Sequence, residues 1–162
     1  MHVTEVVTLV ISIVSLCTSI SVFYWQRRHG DFDLARLLHA DLTGGEVAKA
    51  RDVLGALVHT PGSIRDDVFP EVRTAYFTLL WCFERLYAGR RAIQDGGTAS
   101  RRPLRFLDRL ISSQLAYWAV NLPRVRGELE RRLGPIEDEQ SLWAFEELKR
   151  SVLPARQEPP HT

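Results

Sequence analysis

The sequence predicts an all-α protein in which one N-terminal transmembrane helix precedes a cytoplasmic bundle of about five helices. Residues 6–25 carry no charge over twenty positions. Further along the chain, apolar residues recur at helical spacing between breaks that contain Pro or Gly. Strand-like alternation between hairpin turns is not found. Together these three observations favour a helical domain behind a membrane anchor.

The uncharged stretch over residues 6–25 has the length needed to cross a bilayer. As a helix rising about 1.5 Å per residue it would extend roughly 30 Å, which matches the hydrocarbon core. A cleaved signal peptide would need a basic start and a small-residue cleavage site. This chain begins with Met-His-Val-Thr-Glu, and its apolar stretch ends in bulky aromatics. We therefore expect an uncleaved transmembrane helix, with residues 1–5 as a short extracytoplasmic segment.

The flanking residues predict the orientation of this helix. Arg27 and Arg28 follow it closely, whereas Glu5 is the only charged side chain before it. By the positive-inside rule, the N-terminus lies outside the inner (plasma) membrane and the bulk of the chain lies in the cytoplasm. Residues 26–31 would form a juxtamembrane linker. The predicted membrane-interface residues are Phe23, Tyr24, Trp25, Arg27 and Arg28.

Residues 32–153 are predicted to form the cytoplasmic helical domain, and residues 154–162 a disordered polar tail. Helices are expected over about 32–42, 46–58, 70–88, 103–121, 124–133 and 138–153. The third helix is apolar on nearly every side, so we expect it at the centre of the domain. Its predicted core residues are Tyr76, Phe77, Leu80, Trp81 and Phe83.

The amino-acid composition indicates neither a reaction nor a partner. The 162 residues carry a net charge of +1, and 19 of the 21 basic residues are arginine. Metal-ligand spacing, a glycine-rich nucleotide loop and an activated nucleophile are all missing from the sequence. It also matches no nucleic-acid-binding module. We therefore expect no enzymatic activity, no cofactor and no nucleic-acid partner.

Glu84 is the candidate buried polar residue, because ten uncharged residues precede it in the third helix. A charged side chain that enters a core needs a partner. One interpretation makes Glu84 a base or a ligand-binding carboxylate in a polar pocket. The interpretation that we favour pairs it with an arginine of a neighbouring helix, such as Arg105 or Arg109.

An arginine-rich segment surrounds the most loop-like part of the chain, Asp95–Thr98. The predicted anion or partner patch consists of Arg90, Arg91, Arg101, Arg102 and Arg105. Such a patch suits anionic lipid, a nucleotide or an acidic protein. RNA would also be attracted, but interleaved exposed aromatics are lacking. A solvated charged loop is the alternative.

Three serines within residues 6–25 are candidates for self-association. Ser12, Ser15 and Ser19 follow Thr8 in steps of four, three and four, so all four share one helical face. Small polar residues let helices approach closely in membranes, which would give a homo-oligomer. The alternative is that each hydroxyl bonds to a carbonyl of its own helix.

The segments Arg36–His39, Tyr76–Arg85 and Tyr117–Trp118 resemble small single-span bacterial membrane proteins, of actinobacterial type, whose function is unknown. This resemblance would cover most of the cytoplasmic domain. It implies a helical domain behind one anchor and supplies no catalytic residue.

Two functional hypotheses account for these features. The first is a membrane-anchored interaction or regulatory module, whose partners are the lipid bilayer and an unknown protein. The alternative is a membrane-acting effector, of the defence or toxin type, that oligomerises through its transmembrane helix. An enzyme that acts on a lipid or nucleotide through Glu84 and the arginines is the least favoured hypothesis.

Overall fold

The predicted all-α class is confirmed by a computed structural model, which describes residues 2–59 and 64–153. Over these two ranges the chain forms five α-helices, one short 3₁₀ helix and no strand. The helices are α1 (His2–Thr43), α2 (Gly45–His59), α3 (Phe69–Gln94), α4 (Arg101–Leu133) and α5 (Glu139–Val152), with the 3₁₀ helix at Gly97–Ser100. The predicted tail at 154–162 lies outside the described residues.

Helix α1 continues without a break through residues 26–31, which the sequence predicts as a linker. The helix expected over 32–42 is therefore the last part of α1. Gly30 is the poorest helix former among residues 26–31. A glycine destabilises a helix by only about 1 kcal/mol relative to alanine, which is too little to end a helix whose following residues pack on the bundle.

The two parts of α1 have opposite surroundings. Its N-terminal part is long and apolar enough to span a membrane, and the side chains of residues 7–30 are all exposed. Ala35, Leu38 and Leu42, by contrast, are buried in the core of the bundle. One continuous helix therefore connects the exposed apolar segment directly to the packed domain.

Helix α3 lies at the centre of the bundle, as predicted, and contacts each of the other four helices. It runs antiparallel to α1, because Gly89 approaches Leu38 while Arg85 bonds to Asp41. Helix α4 is also antiparallel to α3, and α5 returns parallel to α3. The turn between α3 and α4 consequently lies beside α1 near residue 31, at the end of the bundle from which the apolar segment emerges.

Most of the predicted core of α3 is confirmed. Tyr76, Leu80 and Phe83 are fully buried, and Phe77 is half-buried. Trp81 is 55% exposed, so its assignment to the core is wrong. The apolar composition of this segment extends all round the helix, but the neighbouring helices leave one strip of α3 uncovered, and Trp81 lies on it.

Two residues predicted as helix ends lie inside helices instead. Gly89 is within α3, where a Cβ atom would be 2.5 Å from Leu38 Cδ1, so its role is the close approach of α1. Pro123 is within α4, and the fourth and fifth predicted helices are one helix of 33 residues. Packing of Leu122 and Val125 in the core on either side of Pro123 maintains the helix.

We expect Gly89→Ala to lower the free energy of unfolding by about 1 kcal/mol, because the added methyl must displace buried Leu38. The matched control is Gly55→Ala in α2, where nothing lies within 4 Å of the added atom. That control should stabilise the protein by about 0.5–1 kcal/mol through helix propensity alone. Thermal unfolding of the full chain in detergent measures both, and equal stabilisation by the two variants would contradict the close approach.

Candidate functional site

An open groove of ≈ 400 Å³, here called the α1–α4 groove, lies where α1 meets the start of α4. It is lined by Tyr24, Trp25 and Arg28 of α1 and by Thr98 and Arg102 of the α3–α4 connection and α4. The groove therefore joins residues from two predictions that the sequence made separately, the membrane interface and the arginine patch.

Two contacts fasten the start of α4 to α1 beside this groove. The hydroxyl of buried Ser100 donates a hydrogen bond to the carboxylate of Asp31. The rings of Phe32 and Phe106 meet edge to face, with centroids 5.7 Å apart. The guanidinium of Arg28 lies 6.0 Å from the centroid of the Phe32 ring, in range of a cation–π contact. Arg28 thus contacts a ring that packs between the two helices, and Arg102 follows the anchored Ser100 by two positions.

A pair of glycines allows the chain to turn sharply here. Gly97 has φ +74°, a conformation that side chains other than glycine rarely adopt. A Cβ on Gly96 would lie 2.0 Å from Ser100 Oγ. The sequence identified Gly96 and Gly97 as an ordinary loop, whereas their small size is what lets Ser100 reach Asp31.

The predicted arginine patch divides into one structural residue and four exposed ones. Arg90 Nε and Nη2 bond to the Asp108 carboxylate at 2.9 and 3.2 Å, and Nη2 also reaches the Ser151 carbonyl at 3.4 Å. Its side chain is only 12% exposed. Arg90 therefore ties α3 to α4 and α5 and is not available for a ligand, which corrects its place in the patch. The exposed members are Arg91, Arg101, Arg102 and Arg105.

Positive charge is concentrated at this end of the bundle. We call it the arginine end, and it comprises Arg27, Arg28, Arg91, Arg101, Arg102 and Arg105. Within the described ranges, none of these six arginines forms an ion pair with a carboxylate. The acidic residues nearby are Asp31, Asp33 and Asp95, and Asp31 and Asp33 already have partners in Ser100 and Arg36. The overall charge of +1 thus conceals a strongly positive end.

Glu84 has partners, but not the arginines that the sequence predicts. Its carboxylate accepts hydrogen bonds from Ser141 Oγ at 2.6 Å and from Gln140 Nε2 at 3.3 Å. Both donors lie in the first turn of α5, so Glu84 joins α3 to α5. The proposed pairing with Arg105 or Arg109 is wrong because those residues lie on α4, outside this contact, and Glu84 is only half-buried.

Among the described residues Asp138 has the most buried carboxylate, and the sequence did not predict its role. Its side chain is fully inaccessible and bonds to the Arg126 guanidinium, with Nη2–Oδ1 and Nε–Oδ2 distances of 3.0 Å. It also accepts a hydrogen bond from the hydroxyl of buried Tyr76. Burial alone would raise the pKa of Asp138, but the hydrogen bonds from Arg126 and Tyr76 outweigh it and hold that pKa below its usual value. The network connects α3, α4 and the start of α5.

Two of the three candidate self-association serines bond within their own helix. Ser12 Oγ donates to the Thr8 carbonyl and Ser19 Oγ to the Ser15 carbonyl, each at 2.9 Å. This is the alternative that the sequence left open. The hydroxyls of Ser12 and Ser19 are thereby satisfied without a second chain.

A second open groove, the α3 groove, lies along the uncovered strip of α3. The rings of Phe77 and Trp81 meet there in a tilted arrangement, with centroids 5.9 Å apart. The groove measures ≈ 400 Å³ and is lined by Pro70, Arg73, Thr74, Phe77, Thr78 and Trp81. An exposed tryptophan that packs on a half-buried aromatic ring beside an arginine is typical of protein-binding surfaces.

The buried Cys82 thiol and the distribution of possible metal ligands are the remaining features of the described residues. Burial, together with the nearby Asp41 carboxylate, raises the pKa of the Cys82 thiol to about 12, so Cys82 is protonated at neutral pH. Over residues 2–59 and 64–153, no cluster of three His, Cys, Asp or Glu side chains is placed to hold a metal ion. No protein-family model, curated protein or solved structure matches this chain.

We expect Asp138→Asn to lower the free energy of unfolding by about 2 kcal/mol at neutral pH, because charged hydrogen bonds from Arg126 and Tyr76 are lost. Urea unfolding of the full chain in detergent, followed by circular dichroism, measures the change. The control is Asp66→Asn, whose side chain is 96% exposed, and its effect should be near zero.

The same contribution should depend on pH. Since the pKa of Asp138 is lower in the folded chain than its ordinary 3.8, the stabilisation is complete above that value and is lost as the pH falls through the lowered pKa. The wild-type protein should therefore approach the stability of Asp138→Asn in acid. An undiminished difference between the two proteins at about pH 2 would contradict this assignment.

Proposed function

We propose that this protein is a single-pass inner-membrane protein, N-terminus out and C-terminus in, whose cytoplasmic bundle is an interaction module held at the bilayer surface. The observation that carries the proposal is the continuity of α1, from exposed apolar residues 7–25 to buried Ala35 and Leu38. A segment that leaves the bundle as a continuous apolar helix needs an apolar surrounding.

The energetic argument for a bilayer comes from the exposed side chains of α1. Nine large aliphatic residues between Val7 and Val22 are about half exposed. Removing one such side chain from water is worth about 1.5–3 kcal/mol when burial is complete, so hydrocarbon around the helix stabilises it by many kcal/mol. Nothing in the described part of the bundle covers these residues.

The orientation rests on Arg27 and Arg28, which flank the apolar segment, and the arginine end agrees with it. Arg91, Arg101, Arg102 and Arg105 are distant from Arg27 in sequence, yet the fold brings them to the same end of the bundle. The cytoplasmic leaflet is rich in anionic lipid, which attracts positive residues that lie beside a span.

The α3 groove is the surface that we assign to a protein partner. Trp81 lies thirteen residues before the end of α3, so it is about 20 Å from the arginine end and clear of the lipid headgroups. Exposed tryptophan is enriched at the energetic centres of interfaces, and Arg73 beside it favours a partner that carries a carboxylate. The effector hypothesis has less support, since Ser12 and Ser19 are satisfied within α1.

Membrane insertion and orientation are tested by labelling single cysteines with an impermeant maleimide in right-side-out vesicles. In a Cys17→Ser background, in which the remaining Cys82 is buried and serves as the unlabelled baseline, Thr4→Cys should react in intact vesicles and Glu139→Cys only after lysis. The protein should also resist carbonate extraction. Release by carbonate would refute the anchor, and the opposite labelling pattern would refute the orientation.

The interaction surface is tested by placing a photo-crosslinking residue at Trp81 in the full chain in cells. We expect one discrete crosslinked protein from this position, because a partner seated in the α3 groove would contact it. The control places the same photo-crosslinking residue at Val120, a 70% exposed position on α4, which should give no crosslinked species.

Substituting Arg73→Glu should weaken that crosslink about fivefold or more, because a carboxylate then faces a carboxylate. The same crosslinked species at both Trp81 and Val120, or none at either, would contradict the assignment of the α3 groove.

A further inference from the structure

We propose that the α1–α4 groove binds the phosphate of an anionic phospholipid of the surrounding bilayer. This inference rests on the membrane insertion proposed above and adds a specific lipid site to it. The residues that would form the site are Tyr24, Trp25, Arg28, Thr98 and Arg102.

The depth of the groove along α1 matches the headgroup layer. Trp25 closes the apolar segment, and Arg28 follows about 4–5 Å further along the helix axis. Tyr and Trp rings favour the boundary between hydrocarbon and headgroups. Tyr24 and Trp25 would therefore contact the acyl and glycerol part of a lipid, while its phosphate lies at the level of Arg28.

The polar lining of the groove suits a phosphate. Arg28 and Arg102 approach from two different helices, and Thr98 adds a hydroxyl donor. Guanidinium groups bind phosphate oxygens through paired hydrogen bonds, which an ammonium cannot do. Helix α4 also begins at Arg101, so the positive end of its helix dipole lies beside the groove.

The charge around the groove selects a lipid with net negative charge. The six arginines of the arginine end have no carboxylate partner in the described part of the chain. A zwitterionic lipid would bring its own ammonium group among these arginines, whereas a phosphatidylglycerol-type headgroup brings none. Arg90, which is adjacent to Arg91 in the sequence, differs from these six arginines because the carboxylate of Asp108 neutralises it.

The site is preformed rather than assembled by the ligand. The Asp31–Ser100 hydrogen bond and the Phe32–Phe106 contact fix the start of α4 against α1. Little conformational entropy is then lost when a lipid enters, which favours selective binding over a diffuse attraction to the surface.

Native mass spectrometry of the full chain in a mild detergent tests the proposal. The probes are phosphatidylglycerol and phosphatidylcholine with identical acyl chains. We expect the wild-type protein to retain phosphatidylglycerol preferentially and Arg102→Gln to bind it about fivefold more weakly. Arg28→Gln together with Arg102→Gln should weaken binding about twenty-five-fold.

The matched control is Arg109→Gln. Arg109 is exposed, lies seven residues after Arg102 on nearly the same side of α4, and is about 10 Å farther from the groove. Its substitution removes the same charge and should leave phosphatidylglycerol binding unchanged. Neither arginine forms an ion pair in the described residues, so unfolding temperatures should stay at the wild-type value and show that both variants are folded.

Three results would overturn the lipid site. Equal weakening by Arg102→Gln and Arg109→Gln would mean diffuse charge attraction. Equal retention of the two lipids would remove the selectivity. Full competition by millimolar glycerol phosphate would assign the groove to a soluble anion instead of a lipid.

Carbonate extraction of the same variants separates this inference from the proposed function. If the protein stays in the membrane but shows no lipid preference, the headgroup site is wrong and the anchor stands. If the wild-type chain is released, the anchor itself is wrong, and binding in detergent no longer reports on a bilayer lipid.

Discussion

The unbroken backbone of α1 through residues 26–31 is the constraint that places the exposed apolar segment relative to the bundle. Because this segment is helical, Asp31 and Phe32 have a fixed direction relative to Tyr24 and Trp25. Ser100 and Phe106 attach to those two residues. The α3–α4 turn, and with it the arginine end, therefore has one position relative to the apolar segment.

The helices themselves could be predicted from the sequence, because apolar periodicity survives in each of them. Their ends could not always be predicted from local signals. Gly89 and Pro123 usually end helices, but the packing of Leu38 against α3 and the burial of residues around Pro123 outweigh propensities of about 1–3 kcal/mol. Tertiary packing decided these two positions, and a single sequence carries no direct record of it.

The candidate sites could be predicted only in part, for a related reason. Arg90 and Arg102 are indistinguishable by composition, yet Asp108 neutralises one and leaves the other exposed. Glu84 follows an apolar run and is therefore predicted as the buried polar residue, whereas Asp138, in a loop-like sequence, has the fully buried carboxylate among the described residues. Partner residues far apart in the chain determine both outcomes, so spacing along the sequence could not reveal them.

The continuous join between the two parts of α1 has a mechanical consequence. A helix adjusts its tilt to the thickness of the bilayer around it. Because α1 is continuous after Trp25, the bundle tilts together with the apolar segment. A tilt of about 10° would move a point about 20 Å from the arginine end sideways by roughly 3–4 Å. The sideways position of Trp81, and so its distance from a neighbouring molecule, would then depend on the thickness of the membrane in which the protein resides.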